Sequence, residues 1–113
     1  MSKTLYDLLQ AHFGIKTSFR VNPITALVGD TATKIFSHNP NRVGLVIVNT
    51  GTANFYLSPL NTVTAGVGIL VSAGGGGVTF TWDEDFELVS SEIFGICEAT
   101  ESSAIYALEV FTL

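Results

Sequence analysis

The stretch Arg42-Val43-Gly44-Leu45-Val46-Ile47-Val48-Asn49-Thr50-Gly51-Thr52-Ala53-Asn54-Phe55-Tyr56-Leu57-Ser58 decides the fold. Its first half is an aliphatic and β-branched run, Thr50-Gly51-Thr52 is turn chemistry, and its second half alternates Ala53, Phe55 and Leu57 with Asn54, Tyr56 and Ser58. Such alternation marks a strand with one buried and one wet face. The first half differs. Val43, Leu45 and Ile47 on one face and Val46 and Val48 on the other are all apolar, so this strand needs cover on both sides.

The same grammar continues toward the C-terminus. Val78, Phe80 and Trp82 oppose Thr79 and Thr81, which predicts a half-buried strand. Residues 104–113 set Tyr106, Leu108 and Val110 on one face against Ile105, Phe111 and Leu113 on the other, interrupted by Glu109. Turn signals recur at Gly29-Asp30, Asn39-Pro40-Asn41, Ser58-Pro59, Gly74 to Gly77, Asp83-Glu84-Asp85 and Glu101-Ser102-Ser103. This spacing predicts an all-β fold, a single jelly-roll-like β-sandwich of about eight antiparallel strands. A sandwich covers one face of each sheet, so the second apolar faces must be finished by a helix, a loop or another subunit.

Only the N-terminus has helical period. Leu5, Leu8, Leu9 and Phe13 form one stripe, Thr4 fits an N-cap with Asp7 in the first turn, and Gly14 fits just past the end. So short an amphipathic helix is not stable alone in water and must dock on something. From Ile15 to Pro23 the period is lost, and the segment reads as an extended arm carrying Lys16 and Arg20. The expected organisation is a helix and connecting arm over 1–23 and a sandwich over 24–113.

Composition narrows the function. The 113 residues suffice for one domain. Apolar residues make up 47% and charged residues only 13%, about half the usual charged share. Mean hydropathy is +0.44. Five basic against ten acidic residues give a net charge of −5 without a basic run, which argues against direct nucleic-acid binding. The apolar runs are too short to span a bilayer, and Asp7 and Gln10 interrupt any signal-peptide core, so the expectation is a chain made in the cytoplasm with no membrane partner. A single cysteine, Cys97, makes no intrachain disulfide and sits in a strand pattern, where it reads as a small buried hydrophobe.

Catalytic constellations do not assemble from the sequence. Gly74 to Gly77 is followed by Val78-Thr79 where a phosphate loop needs Lys-Ser or Lys-Thr, and reads as a flexible hairpin connection. The acidic run Asp83, Glu84, Asp85 and Glu87 has no glycine at the turn position a calcium loop requires, and reads as a solvated turn. His12 and His38 belong to no metal-ligand spacing, and no serine lies in a GxSxG elbow or SxxK pair. A hydrolase would require a pocket pairing His12 or His38 with a serine or Cys97. Tyr56 and Trp82 exposed on one flat face would favour a carbohydrate-binding module, and burial of both would remove it. The expectation is therefore a non-enzymatic chain with no catalytic residue, no metal and no cofactor, serving binding or assembly.

The segment Asn39-Pro40-Asn41-Arg42-Val43-Gly44-Leu45-Val46-Ile47-Val48-Asn49-Thr50-Gly51-Thr52-Ala53-Asn54-Phe55-Tyr56-Leu57, with the later runs Gly66 to Val71 and Ile105 to Val110, resembles small β-sandwich virion proteins of tailed bacteriophages. The resemblance extends from about Thr33 onward. It implies a head-decoration, head-fibre, neck or tail component located in the virion, with no catalytic residue to transfer. The function so implied is a capsid decoration or cement subunit that forms a homo-oligomer and contacts other virion proteins such as the major capsid protein. The alternative is a carbohydrate-binding or host-recognition module of a phage fibre. The assembly residues expected on physical grounds are Leu5, Leu8, Leu9 and Phe13 from the helix and Val46, Val48, Phe111 and Leu113 from the second strand faces.

Overall fold

The computed structural model describes residues 4, 5, 7, 8, 11, 14, 16–21 and 30–113. Eight strands follow in order: β1 Thr17–Val21, β2 Thr33–Phe36, β3 Arg42–Asn49, β4 Phe55–Ser58, β5 Ile69–Val71, β6 Gly77–Thr81, β7 Ile93–Cys97 and β8 Ile105–Thr112. They form two four-stranded antiparallel sheets, β1-β8-β3-β6 and β2-β7-β4-β5. This is the expected jelly-roll-like sandwich, and its core lies between the sheets. Leu45 and Ile47 of β3, Phe80 of β6 and Ala107 of β8 pack there against Phe55, Leu57, Val71 and Ile93 of the other sheet.

Four local readings are corrected. The segment expected to be a free arm contains β1, which pairs with β8 from Thr17↔Thr112 to Val21↔Leu108, so the sandwich extends below residue 24. β1 is an edge strand, and pairing with β8 satisfies the backbone groups on the side that faces it. Leu113 N donates to Lys16 O at 2.8 Å and continues the ladder. Gly74 to Gly77 is no hairpin, because β5 belongs to one sheet and β6 to the other. The run crosses between sheets, with Gly74 and Gly75 at φ of 76° and 114° and Gly75 N donating to Asn49 O at 2.8 Å. Trp82 leaves the strand alternation for a one-turn helix, α1 Trp82–Asp85, and is 59% exposed. Asp85 draws the chain round there by accepting from Thr81 N at 2.8 Å. Finally, of the run Gly66 to Val71 only Ile69–Val71 is strand.

At the N-terminus Leu5, Asp7, Leu8 and Ala11 are helical. Asp7 N donates to Thr4 Oγ1 at 3.2 Å and Thr4 N donates back to Asp7 Oδ2 at 3.4 Å, a reciprocal cap. Gly14 has φ of 70°, the left-handed conformation that ends helices. Leu9, His12, Phe13 and Pro23 lie outside the described residues.

Two buried polar clusters fix β3 at its ends. Asn49, wholly buried, donates from Nδ2 to Ala53 O at 2.7 Å and Val71 O at 3.0 Å. Its Oδ1 accepts from Gly51 N at 3.0 Å and Ser103 Oγ at 2.6 Å. A Cβ on Gly51 would lie 2.1 Å from Ser103 Oγ, so this corner admits no side chain there. At the other end Arg42 Nε donates to Glu109 Oε2 at 2.7 Å, Nη1 to Val89 O and Ser91 O at 3.1 and 3.0 Å, and Nη2 to Ser37 O at 2.7 Å. Glu109 Oε1 accepts from Arg20 Nε at 3.0 Å and also from Arg20 Nη2. Thus the charge that interrupts the apolar pattern of β8 points inward and ties β1 to β3.

Burial alone would push the Glu109 carboxyl up, but the hydrogen bonds and charges of Arg42 and Arg20 outweigh it and hold the pKa below the ordinary carboxylate value. A carboxylate depressed in the folded state stabilises fully above its unfolded pKa of about 4.3, and that stability is lost as pH falls through the folded value. Thermal unfolding should therefore show a midpoint that is steady near neutrality and declines below about pH 4 to 5. Glu109→Gln should be less stable at neutral pH and should lack this part of the acid decline. An unchanged acid limb in the variant would show that other carboxylates carry it.

Candidate functional site

The outward face of β1-β8-β3-β6 is the surface that the fold leaves unfinished. The register arranges it in rows across the sheet. One row reads Phe19, Val110, Gly44, Thr81; the next reads Val21, Leu108, Val46, Thr79; a third reads Tyr106, Val48, Gly77. Thr17 and Thr112 close the end. None of these positions carries a charge. Phe19 and Tyr106 stand 67% and 48% exposed, and Val46, Val48, Leu108 and Val110 are half-buried between them. The face arises because β3 and β8, the two central strands, are apolar at outward as well as inward positions.

The expected assembly residues divide accordingly. Val46 and Val48 lie side by side on this face. Phe111 does not join them, because alternation from the inward Glu109 turns it to the opposite side, where the Arg20 guanidinium sits 5.2 Å from its ring centroid. Leu113 projects into solvent at the end of β8. Leu5 and Leu8 are 71% and 51% exposed, so neither is covered by the sandwich of its own chain. Leu9 and Phe13 are outside the described residues. Phe19 and Val21 join the face from β1, a segment whose sequence reads as an arm.

Other candidate chemistry stays dispersed. Tyr56 faces outward on β4 of the second sheet, while Trp82 follows β6 of the first, so they share no flat face. Phe86 stands exposed beside Trp82, at φ of 54°. A shallow groove brings His38 near Ser90 and Ser91, but Ser90 Oγ donates to Glu87 O at 2.9 Å and Ser91 Oγ to Leu88 O at 2.7 Å. Each hydroxyl proton is committed to a carbonyl and not to the imidazole, so the groove presents no activated nucleophile. Cys97 is buried in β7, and burial, then the charges of Glu101 and Asp30, push its thiol pKa up, away from the reactive thiolate. Among the described residues no three His, Cys, Asp or Glu side chains gather as a metal site, and no helix is long and apolar enough to cross a membrane.

No protein-family model and no curated protein matches the chain. Among solved structures, a chain described under "Bacillus endospore appendages form a novel family of disulfide-linked pili" aligns at 13% identity with a TM-score of 0.46, over 87% of this chain and 86% of that one. A likeness at this level carries no functional argument. The resemblance to tailed-phage virion proteins rests on the sequence pattern alone.

Proposed function

We propose that the chain is a non-enzymatic structural subunit of a tailed-phage virion, a capsid decoration or cement protein that assembles with copies of itself and attaches to the capsid through its N-terminal segment. The observation that carries this reading is apolar surface left uncovered by the chain's own fold, above all Leu5 and Leu8 on a short capped helix. A helix of this length persists when its stripe is buried, and the sandwich does not bury these two residues. Burying four such side chains on a neighbour is worth on the order of 6 to 12 kcal/mol before ordering costs, and the net affinity is much smaller.

Deleting residues 1–14 tests the anchor. Since β1 begins at Thr17, the shortened protein should keep its fold, with its unfolding midpoint within a few degrees of the full chain. In co-sedimentation with phage heads lacking the protein it should no longer pellet, whereas the full chain should. Undiminished pelleting would remove the anchor, and unfolding of the shortened chain would make the helix part of the domain's own stability.

A further inference from the structure

We infer that two copies of this chain pack face to face through the outward side of the β1-β8-β3-β6 sheet, with Gly44 of one copy receiving Val110 of the partner subunit. The inference rests on the assembly reading above and names the partner and the contact.

Gly44 is the key observation. It lies near the start of a central strand, where glycine weakens a sheet and marks either a bulge or the close approach of another backbone. It adjoins the register irregularity between Arg42 and Gly44, which turns Arg42 inward while Gly44 keeps the outward face. Its φ is not in the left-handed region, and a Cβ built there would meet nothing nearer than Phe80 O at 3.7 Å, an ordinary contact. Gly77 on the same face is different, because a Cβ there would lie 3.2 Å from Ile47 O. Gly44 is therefore a notch in an apolar surface, with room on its outward side.

Charge and shape select a second copy. Each chain carries −5, so copies repel through most of their surfaces, but this face opposes no carboxylate to its like. A two-fold axis along the strands, between β8 and β3, lays β1 over β6 and β8 over β3 of the other copy. By the register, Val110 then faces Gly44 of the partner subunit, and the large Phe19 faces the small Thr81 of the partner subunit. The same operation brings the acidic turn after β6 over the start of β1, beside Lys16 of the partner subunit. This arrangement is isologous and closes on itself.

Area sets the strength. Four strands at about 4.8 Å spacing and some 20 Å of strand length give a flat face on the order of 400 Å² per copy. Two such faces reach the low end of specific interfaces, below about 1,200 Å² in total, so the dimer is weak and concentration-dependent.

Sedimentation velocity of the full chain across a micromolar concentration series tests this, with Gly44→Val and Phe19→Lys beside it and thermal unfolding of each. The wild type should dimerise. Gly44→Val should fold with an unfolding midpoint at or above wild type, because the site has room, yet weaken the dimer at least about a hundredfold by filling the notch. Phe19→Lys, at an exposed position, should do the same by placing a charge in the face, and it decides the matter if Gly44→Val fails to fold. Dimers of wild-type affinity in a folded variant would overturn this contact while leaving assembly through another surface intact. A wild type that stays monomeric throughout would overturn the dimer, with the capsid attachment judged separately by the head co-sedimentation.

Discussion

Arg42→Ala is expected to lower the stability of the sandwich by about 3 to 5 kcal/mol, a large part of the total for a domain of this size. The side chain is 1% exposed and is the inward partner of Glu109, so its removal leaves a buried carboxylate held by Arg20 alone. It also strips partners from the carbonyls of Ser37, Val89 and Ser91. Chemical denaturation of the variant reads the loss directly. Combining Arg42→Met with Glu109→Leu should recover much of it, because taking both charges out of the interior avoids the uncompensated one. A loss below about 1 kcal/mol in Arg42→Ala would mean that water enters and solvates Glu109.

Asn49→Leu is expected to be of similar severity at the other end of β3. The substitution keeps the branching at Cγ but adds volume, and it leaves Gly51 N, Ser103 Oγ, Ala53 O and Val71 O without their partner in a largely buried corner. At about 1 to 3 kcal/mol for each buried group left unsatisfied, a loss on the order of 4 kcal/mol or more follows. Ser103→Ala removes one of the four bonds and should cost about 1 kcal/mol. If the two variants lose the same amount, the amide is not the hub of the corner.

Sandwich architecture was legible because strand faces are written in alternating residues. Ala53, Phe55 and Leu57 are buried and Asn54, Tyr56 and Ser58 are not, as their pattern requires. The second apolar face of Val46 and Val48 was equally plain. Thr17–Val21 escaped because Thr, Ser and Arg dilute its two apolar residues, and its strand character comes from pairing with β8, far away in sequence. The Arg42–Glu109 pair escaped for the same reason, since the partners are 67 residues apart. A signal was nevertheless present: a lone glutamate inside an apolar strand demands a cation, and Arg42 heads the other apolar strand. Phe111 was placed with Leu113 on an exposed face, although Glu109, two residues earlier, turns inward and fixes its side.

The position of β8 between β1 and β3 has a consequence for synthesis. It follows every other strand in the chain, yet it is the strand that joins β1 to the rest of its sheet. While a ribosome is still translating anything before Ile105, β3 has lost its neighbour on one side and β1 has no sheet to join. The nascent chain therefore emerges with its most apolar strand half-paired, and closure of this sheet waits for β8, which makes its folding dominated by contacts distant in sequence.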